Sequence, residues 1–343
     1  MKLLTPPIKL IQKFPTPPYV TAARFIAKKI LERKDSRLAV LVGPCSIHDP
    51  QAALEFALRL KKISVKIEKN FFPVMRLFIE KPRSRIGWKG MVYDPYLDQS
   101  NDMEAGLHFS RKLLTEIGNL EIACSMEFLD PLISFYFHDT ISWGFIGART
   151  PASQPHRQMA SMFDFPLGFK NDIRGNLEIA IDAILSAQTP HSHIGIDPYG
   201  RVAALSTKGN PWTHLVLRGA EEKSNYDPFS LQLAAQLLKK HSLEPRLLID
   251  CSHGNSGKDA EKQKQSFTSV IEQVIDGNQT IAGLMLESHI FKGKQSLEAP
   301  PSSLLYGVSI TDSCLSWEET ESLLLWADDC LSSRSKSIHS VQN

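Results

Sequence analysis

The stretch Leu38-Ala39-Val40-Leu41-Val42-Gly43-Pro44-Cys45-Ser46 shows the unit from which the fold is predicted. Its aliphatic residues end in a Gly-Pro loop, and residues 51–63 then place Ala and Leu at helical spacing behind the helix start signal Asp49-Pro50. Similar short apolar runs precede polar loops at residues 74–79, 122–125, 144–148, 167–169, 215–217, 247–249 and 282–286. Strands of this kind, alternating with helices, are typical of a parallel sheet covered by helices. Eight such units predict an α/β fold of the TIM (β/α)8 barrel type rather than an open doubly wound sheet.

Three segments are predicted to lie outside the repeating units. Residues 1–35 form an N-terminal extension to the barrel, which takes residues 36–331. Two β-like runs within residues 193–207 flank a Pro-Tyr-Gly turn and predict a β-hairpin inserted before strand six. Apolar residues at helical spacing predict a closing helix over 316–331, and residues 332–343 are predicted to form a polar, frayed C-terminal tail.

The composition excludes several classes of protein. Of the 343 residues, 42% are hydrophobic and 22% are charged, which is typical of a globular chain with a large core. The net charge of +2, with Lys and Arg dispersed, argues against nucleic acid as a partner but leaves small anions. No apolar run approaches the roughly 18 residues of a membrane span, and Pro6 and Pro7 interrupt any signal-peptide core. Five cysteines without a CxxC pair are typical of reduced thiols, so we expect a cytoplasmic protein.

The residues that follow the strands of a parallel barrel meet on one rim, where barrel active sites are built. One group on this rim contains a thiol, an imidazole and two carboxylates, from Cys45, His253, Glu287 and Asp312. Such a mixed set suits one divalent ion such as Mn²⁺, Fe²⁺, Co²⁺ or Zn²⁺, and the two oxygen ligands argue against a closed structural zinc site. We therefore predict a catalytic metal ion that polarises a carbonyl group.

A second group on the rim is cationic. Its members are Arg76, Lys81, Arg83, Arg149, Lys170 and Arg218. Clustered cations repel one another unless anions neutralise them, and the guanidinium fork matches the oxygens of phosphate and carboxylate. Two phosphorylated substrates would account for six cations. One Cys or Arg beside a strand is usually core filler or solvated surface, but here polar groups follow all eight strands. For His48, His156 and His289, a place beside the site and a purely structural role both stay open.

Several motifs together resemble those of class I DAHP synthase (3-deoxy-D-arabino-heptulosonate 7-phosphate synthase). They are Gly43-Pro44-Cys45-Ser46-Ile47-His48-Asp49-Pro50, Glu80-Lys81-Pro82-Arg83, Gly87-Trp88-Lys89-Gly90, Ile146-Gly147-Ala148-Arg149-Thr150, Gly168-Phe169-Lys170-Asn171, Asp250-Cys251-Ser252-His253-Gly254-Asn255, Gly283-Leu284-Met285-Leu286-Glu287-Ser288 and Tyr306-Gly307-Val308-Ser309-Ile310-Thr311-Asp312. The resemblance runs in order over residues 4–326. It implies condensation of phosphoenolpyruvate with D-erythrose 4-phosphate, the first step of the shikimate pathway.

The resemblance also implies roles for individual residues. Cys45, His253, Glu287 and Asp312 would hold the metal ion. Phosphoenolpyruvate would be bound by Arg76, Lys81, Glu127, Gly147, Ala148, Arg149, Lys170 and Arg218, and erythrose 4-phosphate by Lys81, Pro82, Arg83, Ser84 and Asp312. The catalytic residues would be Lys81, Cys45, His253 and Asp312. We expect Lys81 to donate a proton to the developing alkoxide, with a pKa lowered by Arg76 and Arg83.

Departures from the family pattern lie in loops. Ser84 stands where the family usually has Thr, and Pro151-Ala152-Ser153 and Asp172-Ile173-Arg174-Gly175 replace its usual residues. The N-terminal arm is shorter than in feedback-inhibited members, so inhibition by an aromatic amino acid stays open, although Ile194-Gly195-Ile196 resembles the tyrosine-sensitive branch. The exposed arm favours a homodimer or homotetramer.

Two other functions fit the sequence less well. The related synthase of 3-deoxy-D-manno-octulosonate 8-phosphate has a Lys-Ala-Asn-Arg-Ser pattern where this chain has Lys81-Pro82-Arg83-Ser84. A non-catalytic barrel that binds anions or a partner such as a chorismate mutase gains nothing from clustered buried charge. The synthase of the seven-carbon sugar acid is therefore favoured.

Overall fold

The structure, a computed structural model, describes residues 2–298 and 300–341. Eight parallel strands form a closed barrel in the order β1-β2-β3-β4-β5-β8-β9-β10. They are β1 (Leu38–Gly43), β2 (Phe71–Arg76), β3 (Ala123–Glu127), β4 (Trp143–Ile146), β5 (Leu167–Lys170), β8 (Thr213–Leu217), β9 (Leu247–Asp250) and β10 (Ile281–Glu287). The circle closes where β1 pairs with β10, with Gly43 opposite Glu287. The predicted TIM barrel is confirmed.

The helices cover the barrel. They are α1 (Pro7–Lys13), α2 (Tyr19–Leu31), α3 (Pro50–Ser64), α4 (Met103–Asn119), α5 (Ser134–Phe137), α6 (Gln154–Ala160), α7 (Glu178–Ala187), α8 (Pro228–Lys240), α9 (His253–Ser256), α10 (Ala260–Ile275) and α11 (Trp317–Val341). Helix α3 begins where expected, because the Asp49 carboxylate accepts hydrogen bonds from the backbone N–H groups of Gln51 and Ala52. Within the described residues, no helix combines the length and the apolar character needed to cross a membrane.

The N-terminal extension packs across the N-terminal end of the barrel. Helix α2 buries Ala23, Ala27 and Ile30 in a cluster with residues of the barrel interior such as Leu41 and Trp143. Its other face is fixed by Arg24, which donates hydrogen bonds to the carbonyl oxygens of His138 and Ile141. Helix α2 of the extension therefore closes the end of the barrel that lies opposite the expected active site.

The inserted hairpin before the sixth barrel strand is confirmed. Strands β6 (Ser192–Ile196) and β7 (Val202–Ser206) form a separate antiparallel pair. The carbonyl oxygen of Pro198 in its turn accepts a hydrogen bond from Ile8 N at 2.9 Å, so the hairpin contacts the N-terminal extension. At the other end of the chain, helix α11 continues beyond the predicted end at residue 331 to Val341. The Arg334 side chain there donates to the carbonyl oxygen of Val274.

Strand two was placed too late in the sequence. It was predicted over 74–79, but β2 ends at Arg76 and includes Pro73, which pairs with Val40. Residues 77–79 are almost completely buried although they lie past the strand, and their backbone groups form hydrogen bonds with those of Ser125, Ile47 and Val92. Apolar residues indicate burial but do not indicate strand geometry, so the sequence predicted a strand over the whole apolar run 74–79.

Candidate active site

A cavity of about 380 Å³ opens at the C-terminal end of the barrel strands. Residues predicted for the site that line it are Lys81, Pro82, Arg83, Ser84, Glu127, Ala148, Arg149, Lys170, Arg218, His253 and Asp312. Cys45, Arg76 and Glu287 are at most 2% exposed and contact lining residues from below. Gly147 lies against Glu127. The structure thus brings the predicted residues together at one place.

Three of the four predicted metal ligands form a compact group. One ligand atom each from Cys45, Glu287 and Asp312 lies within 4.8 Å of the other two. The Cys45 Sγ and Asp312 Oδ2 atoms are 3.7 Å apart. Ligands that bind one ion at about 2.0–2.3 Å have mutual separations in this range, so the donor set and spacing fit a divalent ion.

His253 lies beside this group and is not within it. Its Nε2 is 3.6 Å from Glu287 Oε1, while its Nδ1 is 2.9 Å from Asp250 Oδ2 and 3.0 Å from Ser252 Oγ. The backbone of His253 has φ +48°, a conformation rare outside glycine and typical of residues held for function. An imidazole fixed through one nitrogen by a carboxylate presents the other nitrogen as a ligand.

The pKa of Lys81, which lies beside Cys45, is shifted in the direction opposite to the expected one. Burial raises the pKa of the Cys45 thiol to about 11, and Lys81 Nζ lies 2.8 Å from its sulfur. Burial alone would lower the pKa of Lys81, but Cys45, Glu287 and Asp312 outweigh it and raise that pKa above its usual value. The predicted lowering of the Lys81 pKa by Arg76 and Arg83 is therefore wrong, because acidic groups surround the ammonium more closely than the guanidinium groups do.

The predicted cations divide into paired and unpaired sets. Arg76 Nη2 lies 3.0 Å from Glu287 Oε1, and Lys170 Nζ lies 2.7 Å from Asp250 Oδ2. In the part of the chain that the structure describes, no acidic side chain lies within ion-pair distance of three other cations of the set, Arg83, Arg149 and Arg218. Burial lowers the pKa of Arg218, Asp250 raises it, and Arg149 lowers it further. Three uncompensated guanidinium groups around one cavity form a strong anion site.

The carboxylate of Glu127 lies against the backbone of the next loop. A Cβ atom on Gly147 would come within 2.0 Å of Glu127 Oε1, so only glycine allows this approach. Across the cavity, Arg149 Nε donates to Ser84 Oγ at 3.0 Å. That hydrogen bond joins the residues predicted for phosphoenolpyruvate to those predicted for erythrose 4-phosphate.

Sequence reasoning missed two residues with direct contacts in the site. Lys258 Nζ lies 3.3 Å from Asp312 Oδ1, on a loop where Gly257 and Lys258 both have positive φ. Phe78 lies beneath the Arg76 guanidinium, at 4.1 Å from its ring centroid. The only sequence feature that indicated Lys258 was its place in a Gly-Lys dipeptide just before the Asp259 helix cap. Phe78 has the pattern of an ordinary strand residue, so nothing in the sequence indicated its contact with Arg76.

Of the three histidines left open, His156 has a structural role. Its Nδ1 lies 2.8 Å from Ser153 Oγ and its Nε2 lies 2.7 Å from the Leu129 carbonyl oxygen, which ties α6 to the loop after β3. His48 and His289 contact each other, with ring centroids 6.0 Å apart. Burial lowers the pKa of both rings.

Residues 18–325 match the model of the DAHP synthetase I family. The chain belongs to this family. A DAHP synthase relative, the Tyr-sensitive phospho-2-dehydro-3-deoxyheptonate aldolase of Escherichia coli (strain K12), is 48% identical over 86% of this chain and 83% of its own length. The Phe-sensitive enzyme of the same organism is 42% identical over 94% of this chain and 93% of its own.

A solved structure extends the comparison to the fold. The phospho-2-dehydro-3-deoxyheptonate aldolase from Francisella tularensis SCHU S4 has a TM-score of 0.94, is 39% identical, and matches 97% of this chain and 98% of that one. The resemblance to class I DAHP synthase found in the sequence is confirmed. The resemblance to a tyrosine-sensitive branch stays a prediction, because relatives with different effector names match this DAHP synthetase chain.

Proposed function

We propose that this chain condenses phosphoenolpyruvate with D-erythrose 4-phosphate and water to form 3-deoxy-D-arabino-heptulosonate 7-phosphate and phosphate, the first step of the shikimate pathway. The observation that carries the proposal is one cavity in which Arg83, Arg149 and Arg218 lack acidic partners among the described residues and adjoin a metal-competent group. Family membership supplies the reaction. The synthase of the eight-carbon sugar acid and the anion-binding scaffold are not favoured.

Phosphoenolpyruvate is proposed to bind in the deeper half of the cavity. The residues assigned to it are Arg76, Lys81, Glu127, Gly147, Ala148, Arg149, Lys170 and Arg218. Support comes from the unpaired charges of Arg149 and Arg218 and from the burial of Lys170, which is 2% exposed. A doubly charged phosphate with an adjacent carboxylate would neutralise these cations.

Erythrose 4-phosphate is proposed to bind nearer the cavity mouth, on Lys81, Pro82, Arg83, Ser84 and Asp312. Arg83 and Ser84 are exposed and line the cavity. Lys81 faces both substrates from below, since its ammonium is buried and 3.7 Å from Asp312 Oδ2.

One divalent metal ion, Mn²⁺, Fe²⁺, Co²⁺ or Zn²⁺, is proposed to be held by Cys45, His253, Glu287 and Asp312. The arrangement of a thiol and two carboxylates supports it, and Nε2 of His253 lies 3.6 Å from Oε1 of the Glu287 carboxylate in that group. The ion would supply Lewis-acid polarisation of the aldehyde carbonyl. The Cys45 thiol must lose its proton on binding, so metal affinity should fall as the pH decreases.

The chain's own residues perform the remaining steps. Arg149 and Arg218 hold the phosphate while the methylene carbon of phosphoenolpyruvate forms the new bond to the aldehyde carbon. Lys81 donates its proton to the alkoxide that forms, a role supported by its buried ammonium, which lies 2.8 Å from Cys45 Sγ and 3.7 Å from Asp312 Oδ2. Water then adds to the carbon that bears the phosphate and gives one proton back to the Lys81 amine. The remaining hydroxyl proton passes to the departing phosphate as the carbon–oxygen bond to phosphate breaks, which leaves the ketone of the product.

The test is release of inorganic phosphate from phosphoenolpyruvate and erythrose 4-phosphate by the purified protein. Activity should be lost on treatment with a chelator and return with Mn²⁺. Arg149→Gln should lose most of the activity, whereas Lys62→Gln, which removes an exposed cation away from the cavity, should keep it. Phosphate release that survives complete metal removal would contradict the metal assignment, and no release with any divalent ion would contradict the function.

We also propose the oligomeric state, the domain limits and the cellular location of the protein. A homodimer or homotetramer is expected from the exposed N-terminal segment, and light scattering would test it. Domain limits at residues 1–35, 36–331 and 332–343 are retained as proposals. The cytoplasm is proposed as the location, because a metal-ligating thiol such as Cys45 needs a reducing compartment.

A further inference from the structure

A second cavity of about 300 Å³ lies at the other end of the barrel from the candidate active site. It is formed where the last turn of α2 meets residues just before β8 and β9, with helices α7 and α8 at its sides. Leu31 and Leu238 contribute apolar wall, and Arg246 contributes a cation. The volume is at the lower end of the range of small-molecule sites.

Arg246 is the unusual residue of this cavity. It is 8% exposed, and its Nε and Nη1 donate to the carbonyl oxygens of Leu31 at 2.8 Å and Gln279 at 2.9 Å. Among the described residues, no hydrogen-bond acceptor is found for its Nη2, and no carboxylate lies within ion-pair distance of its guanidinium group, although Glu244 is near enough to favour its charge. Burial, and then the nearby Arg33, lower the pKa of Arg246 to about 10, and Glu244 opposes them only in part. A buried guanidinium beside a second cation is costly unless an anion completes its coordination.

The rest of the lining limits the anion to one of low charge with an apolar body. Glu32 and Glu244 line the same cavity and would repel a doubly charged phosphate. Burial lowers the pKa of His214 to about 4, so this lining residue is neutral and adds no second positive charge. The Trp212 ring is fixed, because its Nε1 donates to Glu32 at 2.9 Å and Lys28 Nζ lies 4.0 Å from its centroid. A fixed aromatic wall favours a flat or branched apolar group.

We propose that this cavity is a binding site for a small organic monocarboxylate, whose carboxylate pairs with Arg246 and whose apolar part packs against Trp212. The site is separate from the catalytic rim. Its occupant would contact both the end of α2 and the start of the barrel strands, and so would stabilise the attachment of the N-terminal extension.

Benzoate is a suitable probe, with benzamide as its neutral counterpart of equal size. Binding to the full chain would be measured by ligand-observed NMR and by the thermal midpoint. Benzoate should bind and raise the midpoint, benzamide should bind at least about tenfold more weakly, and Arg246→Gln should remove that difference. Arg149→Gln should leave benzoate binding unchanged, which separates this cavity from the cationic rim.

Two outcomes would overturn the proposal. If benzoate and benzamide behave alike with the unaltered chain, Arg246 serves only to cap the C-terminal end of α2. If benzoate binding is lost with Arg149→Gln and retained with Arg246→Gln, the anion binds on the rim. Should Arg246→Gln fail to fold, Gln188→Trp narrows the cavity from α7 without touching Arg246, and it should abolish benzoate binding.

Discussion

Substitution Gly147→Ala should damage the phosphoenolpyruvate site by a defined displacement. The added Cβ would lie 2.0 Å from Glu127 Oε1, whereas ordinary van der Waals contact begins at 3.4 Å, so the carboxylate must move by about 1.4 Å. Glu127 is 6% exposed and has little room to withdraw. Forcing extra volume into a packed site costs about 1–3 kcal/mol, and a misplacement of about 1 Å can cost about a hundredfold in rate.

The assay has two parts. Phosphate release should show a kcat/KM for phosphoenolpyruvate lowered by about ten- to a hundredfold, with the KM for erythrose 4-phosphate little changed. The free energy of unfolding should fall for Gly147→Ala and recover in part when Glu127→Ala removes the colliding carboxylate, giving a coupling energy of about 0.5–3 kcal/mol. Additive effects of the two substitutions, or an unchanged kcat/KM, would refute the steric reasoning.

Three further predictions concern charged groups of the rim. Lys258→Met should strengthen Mn²⁺ binding by up to about fivefold in a calorimetric titration without substrate, because it removes a cation that lies 3.3 Å from Asp312 Oδ1, while Lys258→Arg should keep the affinity of the unaltered chain; equal affinity in all three forms would exclude the role. Lys81→Ala should lower turnover by about 10²–10⁴-fold with the thermal midpoint preserved, and near-normal phosphate release would rule out Lys81 as proton donor. Burial raises the pKa of Glu80 from 4.5 to about 8, so its neutral form stabilises the fold at low pH and that contribution is lost as the pH rises from about 4.5 through 8. The thermal midpoint of the unaltered chain relative to Glu80→Gln should therefore fall across that range, and a constant difference would contradict it.

The sequence predicted the barrel because eight apolar runs, each ending in polar residues, have few other solutions. It also predicted which side chains meet, since the ends of parallel strands share a rim. Cys45 and Asp312 are 267 residues apart in sequence, yet their ligand atoms lie 3.7 Å from each other. The barrel topology brings these two residues together, which is why the types of residue that follow the strands could predict the site.

The predictions that failed depend on three-dimensional surroundings. The sign of the Lys81 pKa shift depends on which charges lie closest, and sequence neighbours such as Arg83 were a poor guide to that. The end of β2 was misplaced because residues 77–79, which lie past the strand, are buried as fully as strand residues are. The contact of Lys258 with Asp312 depends on two successive left-handed residues, which no periodic pattern announces.

A single carboxylate, that of Asp250, serves both halves of the candidate site. It is completely buried and receives Lys170 on one side and His253 on the other. The imidazole and the ammonium therefore share one carboxylate, and neither can be exchanged without altering the surroundings of the other. A substitution of His253 that is meant to change the metal preference would also strengthen the ion pair between Asp250 and Lys170. Metal preference and phosphate affinity are therefore coupled in this protein and cannot be changed separately at this residue.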